Sequence, residues 1–117
     1  MKKIYHLSSC DTCKRVFKKL VPLDEVTFQD IKTQAITPEQ LEKMKDLAGS
    51  YEALLNKRAQ LYKERRLPVQ TFSEDRIKEF ILSHYTLLKR PVIIVDDEIF
   101  IGSSQKAVEA AKKALHG

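Results

Sequence analysis

Residues 2–31, KKIYHLSSCDTCKRVFKKLVPLDEVTFQDI, decide the fold. Lys2 to Leu7 reads as a strand, and Val26-Thr27-Phe28-Gln29-Asp30-Ile31 alternates in part as a second one. Between them, Asp11 to Leu20 carries Val16, Phe17 and Leu20 at helical spacing, which predicts a helix with one buried face. The chain therefore opens with a βαβ unit.

Working outward, the last third has the same strand and helix vocabulary. Pro91-Val92-Ile93-Ile94-Val95 is a β-branched run, and Ile99-Phe100-Ile101 follows it after Asp96-Asp97-Glu98, a hairpin signal. Ser103 or Ser104 then caps a final helix with an apolar stripe of Ala107, Val108, Ala111, Ala114 and Leu115. The middle is helical. Thr37-Pro38-Glu39-Gln40 combines an N-cap, a first-turn proline and the glutamine of a capping box. Leu41, Met44, Leu47 and Ala48 continue an apolar face that Gly49 stops. Ser50 starts a shorter helical piece through Leu54 and Leu55, and Ser73 to His84 repeats the pattern with Ile77, Phe80 and Ile81 inward. The order predicts an α/β fold: a small central sheet flanked by helices, with a helical insert at about 37–84 in one domain spanning 1–117.

Composition narrows the class. At 117 residues and 43% hydrophobic content, close to the roughly 45–50% of soluble domains, one core is feasible without disulfide staples. Three glycines and four prolines argue against disorder and collagen-like structure. No apolar run approaches the roughly 18 residues of a membrane span, and the basic start lacks the apolar stretch of a secretion signal, so a cytoplasmic protein without a membrane partner is expected. The formal charge is +5, and Lys57 to Arg66 sets five cations (Lys57, Arg58, Lys63, Arg65, Arg66) against Glu64. Such a segment attracts phosphate, glutathione carboxylates or an acidic partner surface, or is simply a solvated helix face. No direct nucleic-acid partner is expected.

The two cysteines form one motif, Cys10-Asp11-Thr12-Cys13, between the first strand and the first helix. That puts Cys10 near the N-cap and Cys13 in the first turn. There, unpaired backbone N–H groups and the positive end of the helix dipole favour a thiolate. Lys14 and Arg15 add positive charge and Asp11 opposes it. A CxxC at a helix start brings two sulfurs within disulfide range, so that Cys13 can resolve a mixed disulfide on Cys10. Two plainer readings compete: inert buried thiols, and a zinc site. A structural zinc needs four ligands, and the other candidates are the scattered His6, His84 and His116, so no metal is expected. Pro91, opening what reads as a central strand, is a second signal, because proline there removes a ladder donor. It resembles the proline of thioredoxin-type folds, which faces the reactive cysteine; on that resemblance, Arg90 before it would lie near Cys10 and stabilise a thiolate or hold an anion bidentately.

The Cys10-x-x-Cys13 loop, Leu55-Asn56-Lys57-Arg58 with Tyr62-Lys63 after it, and Leu87-Leu88-Lys89-Arg90-Pro91-Val92-Ile93-Ile94 resemble the arsenate reductase (ArsC) family, which includes Spx-type transcriptional regulators and YffB-like proteins. The resemblance runs in order along nearly the whole chain, to the Gly102 loop and final helix. It implies a thioredoxin/glutaredoxin-like fold with a central four-stranded mixed sheet and a cis Pro91 facing a redox-active Cys10. It also implies Arg58 and Arg90, with Pro91, as substrate- or anion-binding positions. The chain departs from arsenate reductases of this type in two ways. Ile99 to Ser104 contains no arginine, the next cation being Lys106, and Cys13 supplies a second cysteine.

Both departures point away from arsenate and toward thiol–disulfide chemistry or sensing; the leading expectation is an oxidoreductase with Cys10 as nucleophile, Cys13 resolving and Arg90 assisting. No bound cofactor is expected; glutathione or another thiol would be co-substrate, and glutaredoxin or thioredoxin a partner. The alternatives are a Spx-like redox-switched regulator binding the RNA polymerase alpha subunit, for which Gly49 before the basic segment also fits, and an arsenate reductase acting on a small oxyanion.

Overall fold

The computed structural model describes residues 1–65 and 72–116. Its elements, in chain order, are β1 (Lys2–His6), α1 (Asp11–Leu20), β2 (Thr27–Asp30), α2 (Pro38–Ala48), a 3-10 turn (Glu52–Leu54), α3 (Gln60–Arg65), α4 (Glu74–Ser83), a second 3-10 turn (Tyr85–Leu87), β3 (Val92–Val95), β4 (Glu98–Ile101) and α5 (Gln105–His116). They divide between two compact units, Met1–Ala35 with Arg90–Gly117, and Ile36–Lys89.

The first unit holds a four-stranded mixed sheet in the order β2-β1-β3-β4. β1 and β2 run parallel, as a βαβ crossover requires, and β3 is antiparallel to both β1 and β4. Pairing Ile4 with Ile93 and with Phe28 sets the faces: Ile4, Ile93 and Val95 point to one side, Tyr5, Val92 and Ile94 to the other. On the first side, Ile4, Ile93 and Val95 pack with Val16 and Leu20 of α1 and Val108, Ala111 and Leu115 of α5. The apolar positions of both helices recur at three- and four-residue spacing, which is why each buries one stripe against the sheet. β3 is buried at all four residues, as its unbroken aliphatic run predicted.

Some boundaries differ from expectation for local reasons. β1 ends at His6 because Leu7 already serves the following loop, its carbonyl accepting from Cys10 N–H at 3.0 Å. β2 is confined to Thr27–Asp30, although Ile31 N–H still reaches the His6 carbonyl at 2.9 Å. β4 starts one residue early, at Glu98, because its pairing with Val95 closes the hairpin over Asp96 and Asp97. Asp96 takes φ +52, a left-handed conformation aspartate tolerates. Ser104, rather than Ser103, caps α5, its hydroxyl accepting from Ala107 N–H at 3.2 Å.

In the second unit, Thr37 and Gln40 form the predicted capping box, each side chain accepting from the other's backbone N–H, at 3.1 and 3.0 Å. Gly49 ends α2 at φ +99, where a side chain would be strained. Leu41 and Met44 are buried, and α4, capped by Ser73, buries Ile77, Phe80 and Ile81. The piece starting at Ser50 narrows to the 3-10 turn, and α3 forms within the basic segment, for which a solvated helix face was one of the readings. Arg66 of that segment lies outside the described residues. Leu55 and Leu88 bridge antiparallel, and Lys89 N–H bonds the Leu54 carbonyl at 2.9 Å, so both ends of the unit's inner chain are tied together.

Candidate active site

The antiparallel pairing of Tyr5 with Val92 brings the start of β3 beside the end of β1. Two loops therefore meet at this sheet end: Leu7 to Cys10, leading into α1, and Arg90-Pro91, leading into β3. Ser8 anchors the first loop, its hydroxyl donating to the Asp30 carboxylate at the end of β2 at 2.5 Å. That bond, with the Lys32 N–H on the same carboxylate, holds Asp30 below the usual carboxylate range.

Cys10 is the N-cap residue of α1, extended at φ −89 and ψ 116, and its carbonyl accepts the first helical bond from Lys14 N–H at 3.2 Å. Its side chain is half-buried and makes no close capping hydrogen bond. Partial burial pushes the thiol up, but four influences together outweigh it and leave Cys10 below an ordinary thiol. These are the Cys13 backbone N–H, the Cys13 thiol, the Thr12 backbone N–H and the charge of Arg90. Cys13, one helical turn on, is fully buried. Burial above all pushes its thiol up to about 11, helped by the negative charge and hydrogen bonding of Cys10 and opposed by the Leu7 N–H and Arg90. Both cysteines are free thiols. One motif thus contains two unlike thiols: a half-buried one lowered below an ordinary thiol and a fully buried one raised above it.

Arg90 is half-buried, and its charge lowers both thiols. Pro91 is buried; the Arg90–Pro91 bond is cis, as the family resemblance implied. Lacking an N–H, Pro91 joins the ladder only through its carbonyl, which accepts from Gly102 N–H at 2.9 Å. A second cis bond, Val21–Pro22, had no sequence expectation attached. The structure thus brings Cys10, Cys13 and Arg90 together. Arg58 belongs to the second unit, on an exposed turn where its N–H bonds Asn56 Oδ1 at 3.1 Å.

The histidines take other work. His6 packs edge-on between Phe17 and Phe28, at 5.3 and 5.8 Å between ring centroids. His84 Nδ1 lies 2.8 Å from the Thr86 hydroxyl, and His116 Nε2 lies 2.8 Å from the Pro22 carbonyl. Among the described residues, no three His, Cys, Asp or Glu side chains gather as a metal ion would require. Sequence reasoning expected backbone N–H groups at this helix start to favour a thiolate but did not single out Thr12 and Leu7, which act through their backbone and leave no side-chain signature. Ser8, which anchors the loop before the motif, was not singled out from the sequence.

Comparison with known proteins places this arrangement in context. The ArsC family model matches residues 5–111. Arsenate reductase from Escherichia coli (strain K12) is 27% identical over 93 residues, covering 78% of this chain; the chain spans 66% of that relative's length. Among solved structures, an ArsC-family-related protein from Bacteroides fragilis superposes with a TM-score of 0.81 at 23% identity, over 94% of this chain and 96% of that one. An arsenate reductase-related protein from Brucella melitensis gives 0.70 at 27% identity, over 93% and 92%. These matches support the thioredoxin-like α/β architecture, and no described helix is long and apolar enough to cross a membrane. With the family model matching all but the ends of the sequence, the chain belongs to the ArsC family.

Proposed function

We propose that this protein is a thiol–disulfide oxidoreductase in which Cys10 is the nucleophile and Cys13 the resolving thiol. The observation that carries the reading is the opposed ionisation of the two thiols at one helix start, Cys10 lowered and Cys13 raised. The Cys10 thiolate attacks one sulfur of a substrate disulfide. The new bond is Cys10–S–S–R, and the other half leaves as a thiolate that takes a proton. Cys13 then loses its proton and attacks the Cys10 sulfur, expelling the second half as a thiol and leaving a Cys10–Cys13 disulfide. Two electrons have passed from the cysteine pair to the substrate. An external thiol, such as glutathione, or a glutaredoxin or thioredoxin returns them by the same exchange chemistry.

Arg90 would assist by holding the attacking sulfur ionised and orienting an anionic substrate group. Arg58 and Pro91 enter through the family resemblance as proposed substrate-binding positions; an Arg58→Gln variant with KM unchanged removes the arginine from that role. Likeness to arsenate reductases supports a second reading, in which Cys10 attacks an oxyanion and external thiols supply the electrons.

The deciding experiment is turnover of a glutathione mixed disulfide, with glutathione and glutathione reductase regenerating the protein. Cys10→Ser and Cys13→Ser run alongside, and arsenate serves as a parallel substrate. Sustained disulfide turnover lost with Cys10 supports the oxidoreductase; turnover with arsenate alone supports the second reading. One stoichiometric oxidation without turnover overturns both and marks a redox switch.

A further inference from the structure

Beside the basic segment at 57–66, surplus positive charge also collects on two helices of the first unit. α1 carries Lys14, Arg15, Lys18 and Lys19 against Asp11, and α5 carries Lys106, Lys112 and Lys113 against Glu109. These two helices therefore hold five surplus positive charges, equal to the +5 of the whole chain; the basic segment at 57–66 is balanced by acidic residues elsewhere. α1 and α5 lie side by side on one face of the sheet, packed on the same apolar cluster.

Between them opens a cleft of about 480 Å³. Lys18, Lys19 and Val21 line one side, and Gln105, Val108, Glu109 and Lys112 the other. None of the three lysines ion-pairs with a described residue, whereas Lys2, on the same unit, donates to the Leu115 carbonyl at 2.9 Å. The one carboxylate in the cleft, Glu109, already accepts from Gln105 Nε2 at 3.1 Å. Val21 is 57% exposed at the rim, an apolar side chain left in water.

We infer that this α1–α5 cleft is a docking surface for an acidic protein segment that carries an apolar side chain. Three observations favour that occupant. The positive charge is spread along two helices rather than focused at a point, which suits a string of carboxylates and steers its approach. The cations lining the cleft are lysines, flexible point charges, with no guanidinium fork of the kind that grips one phosphate bidentately. Val21, Val108 and the lysine stems supply apolar contact between the charges. The surface lies toward the C-terminal end of α1, away from Cys10 at its start, so the inference stands apart from the redox reading.

The test uses the full, reduced, isotope-labelled chain and an acetylated peptide of six glutamates around two leucines. Amide shifts should move saturably on α1 and α5, centred on Lys18, Lys19, Val21 and Lys112. Affinity should fall with added salt, and by about tenfold in the combined Lys18→Gln, Lys19→Gln, Lys112→Gln variant. Lys57→Gln with Lys63→Gln should leave it unchanged. Shifts centred on the 57–66 segment overturn the inference. So does equal binding of a leucine-free glutamate peptide, which would mean charge attraction alone, or tighter saturable binding of inorganic pyrophosphate at the same residues, which would make this a small-anion site. Because the readout is binding, with no turnover, failure here leaves the oxidoreductase assay untouched.

Discussion

A pulse of iodoacetamide across pH 5 to 10, with the modified cysteine mapped by mass spectrometry, tests the asymmetry on which the site depends. Cys13 stands at about 11 against 9.0 for an ordinary thiol. That difference leaves about 100-fold less thiolate at neutral pH, since each pKa unit is tenfold. A thiolate of higher pKa is more nucleophilic, with a slope of roughly 0.4–0.5, which returns about tenfold. Ionisation alone should therefore slow Cys13 about tenfold relative to a free thiol, and its complete burial slows it further. Cys10, lowered and accessible, should be modified first at pH 7.4 and inflect below 9.0. Cys13 reacting as fast as Cys10 at that pH, or Cys10 inflecting at or above 9.0, refutes the assignment of nucleophile and resolving thiol.

Other expectations follow from the same geometry and from the core. Arg90→Gln removes a positive charge that favours the Cys10 thiolate, so the Cys10 alkylation profile should move to higher pH with the fold intact by circular dichroism. Folding stability should fall as pH rises from 9 toward 11, because the unfolded chain releases the Cys13 proton while the folded protein retains it. Urea midpoints at pH 8 and 10.5 should show a smaller loss in Cys13→Ser than in the native chain. Thr37→Ala breaks the capping box of α2 and should cost about 1 kcal/mol in urea unfolding. Leu20→Ala empties a fully buried position between α1 and the sheet and should cost about 2–5 kcal/mol; a loss under 1 kcal/mol would mean that the core refills the space.

Much of this was legible because it is local. The spacing of Val16, Phe17 and Leu20 specified which face of α1 turns inward, and the capping box at Thr37 and the stop at Gly49 bounded α2. The β-branched run of β3 announced a strand buried throughout. α3 was legible only as a solvated helix face without bounds, because it lies in a highly charged stretch whose apolar periodicity is weak. The motif at Cys10 and Cys13 was visible as spacing, and its place at a helix start followed from the elements on either side.

Unequal burial of two cysteines three residues apart was not read from the sequence, although Cys13 shares the inward face of Val16 and Leu20; how the Leu7 loop closes over Cys13 depends on tertiary contacts. Arg90, eighty residues downstream, was expected beside Cys10 from its place before Pro91, and the antiparallel register of β1 and β3 is what delivers it there. The sequence by itself determined the elements, their caps and the CxxC at a helix start, since these follow from interactions within a few residues. Tertiary structure decided how Arg90 and the Leu7 loop bear on the two thiols, and that the two basic helices share one face of the sheet. Burial and electrostatic fields are sums over groups distant in the chain, and only the packed sheet and its two helices bring those groups together.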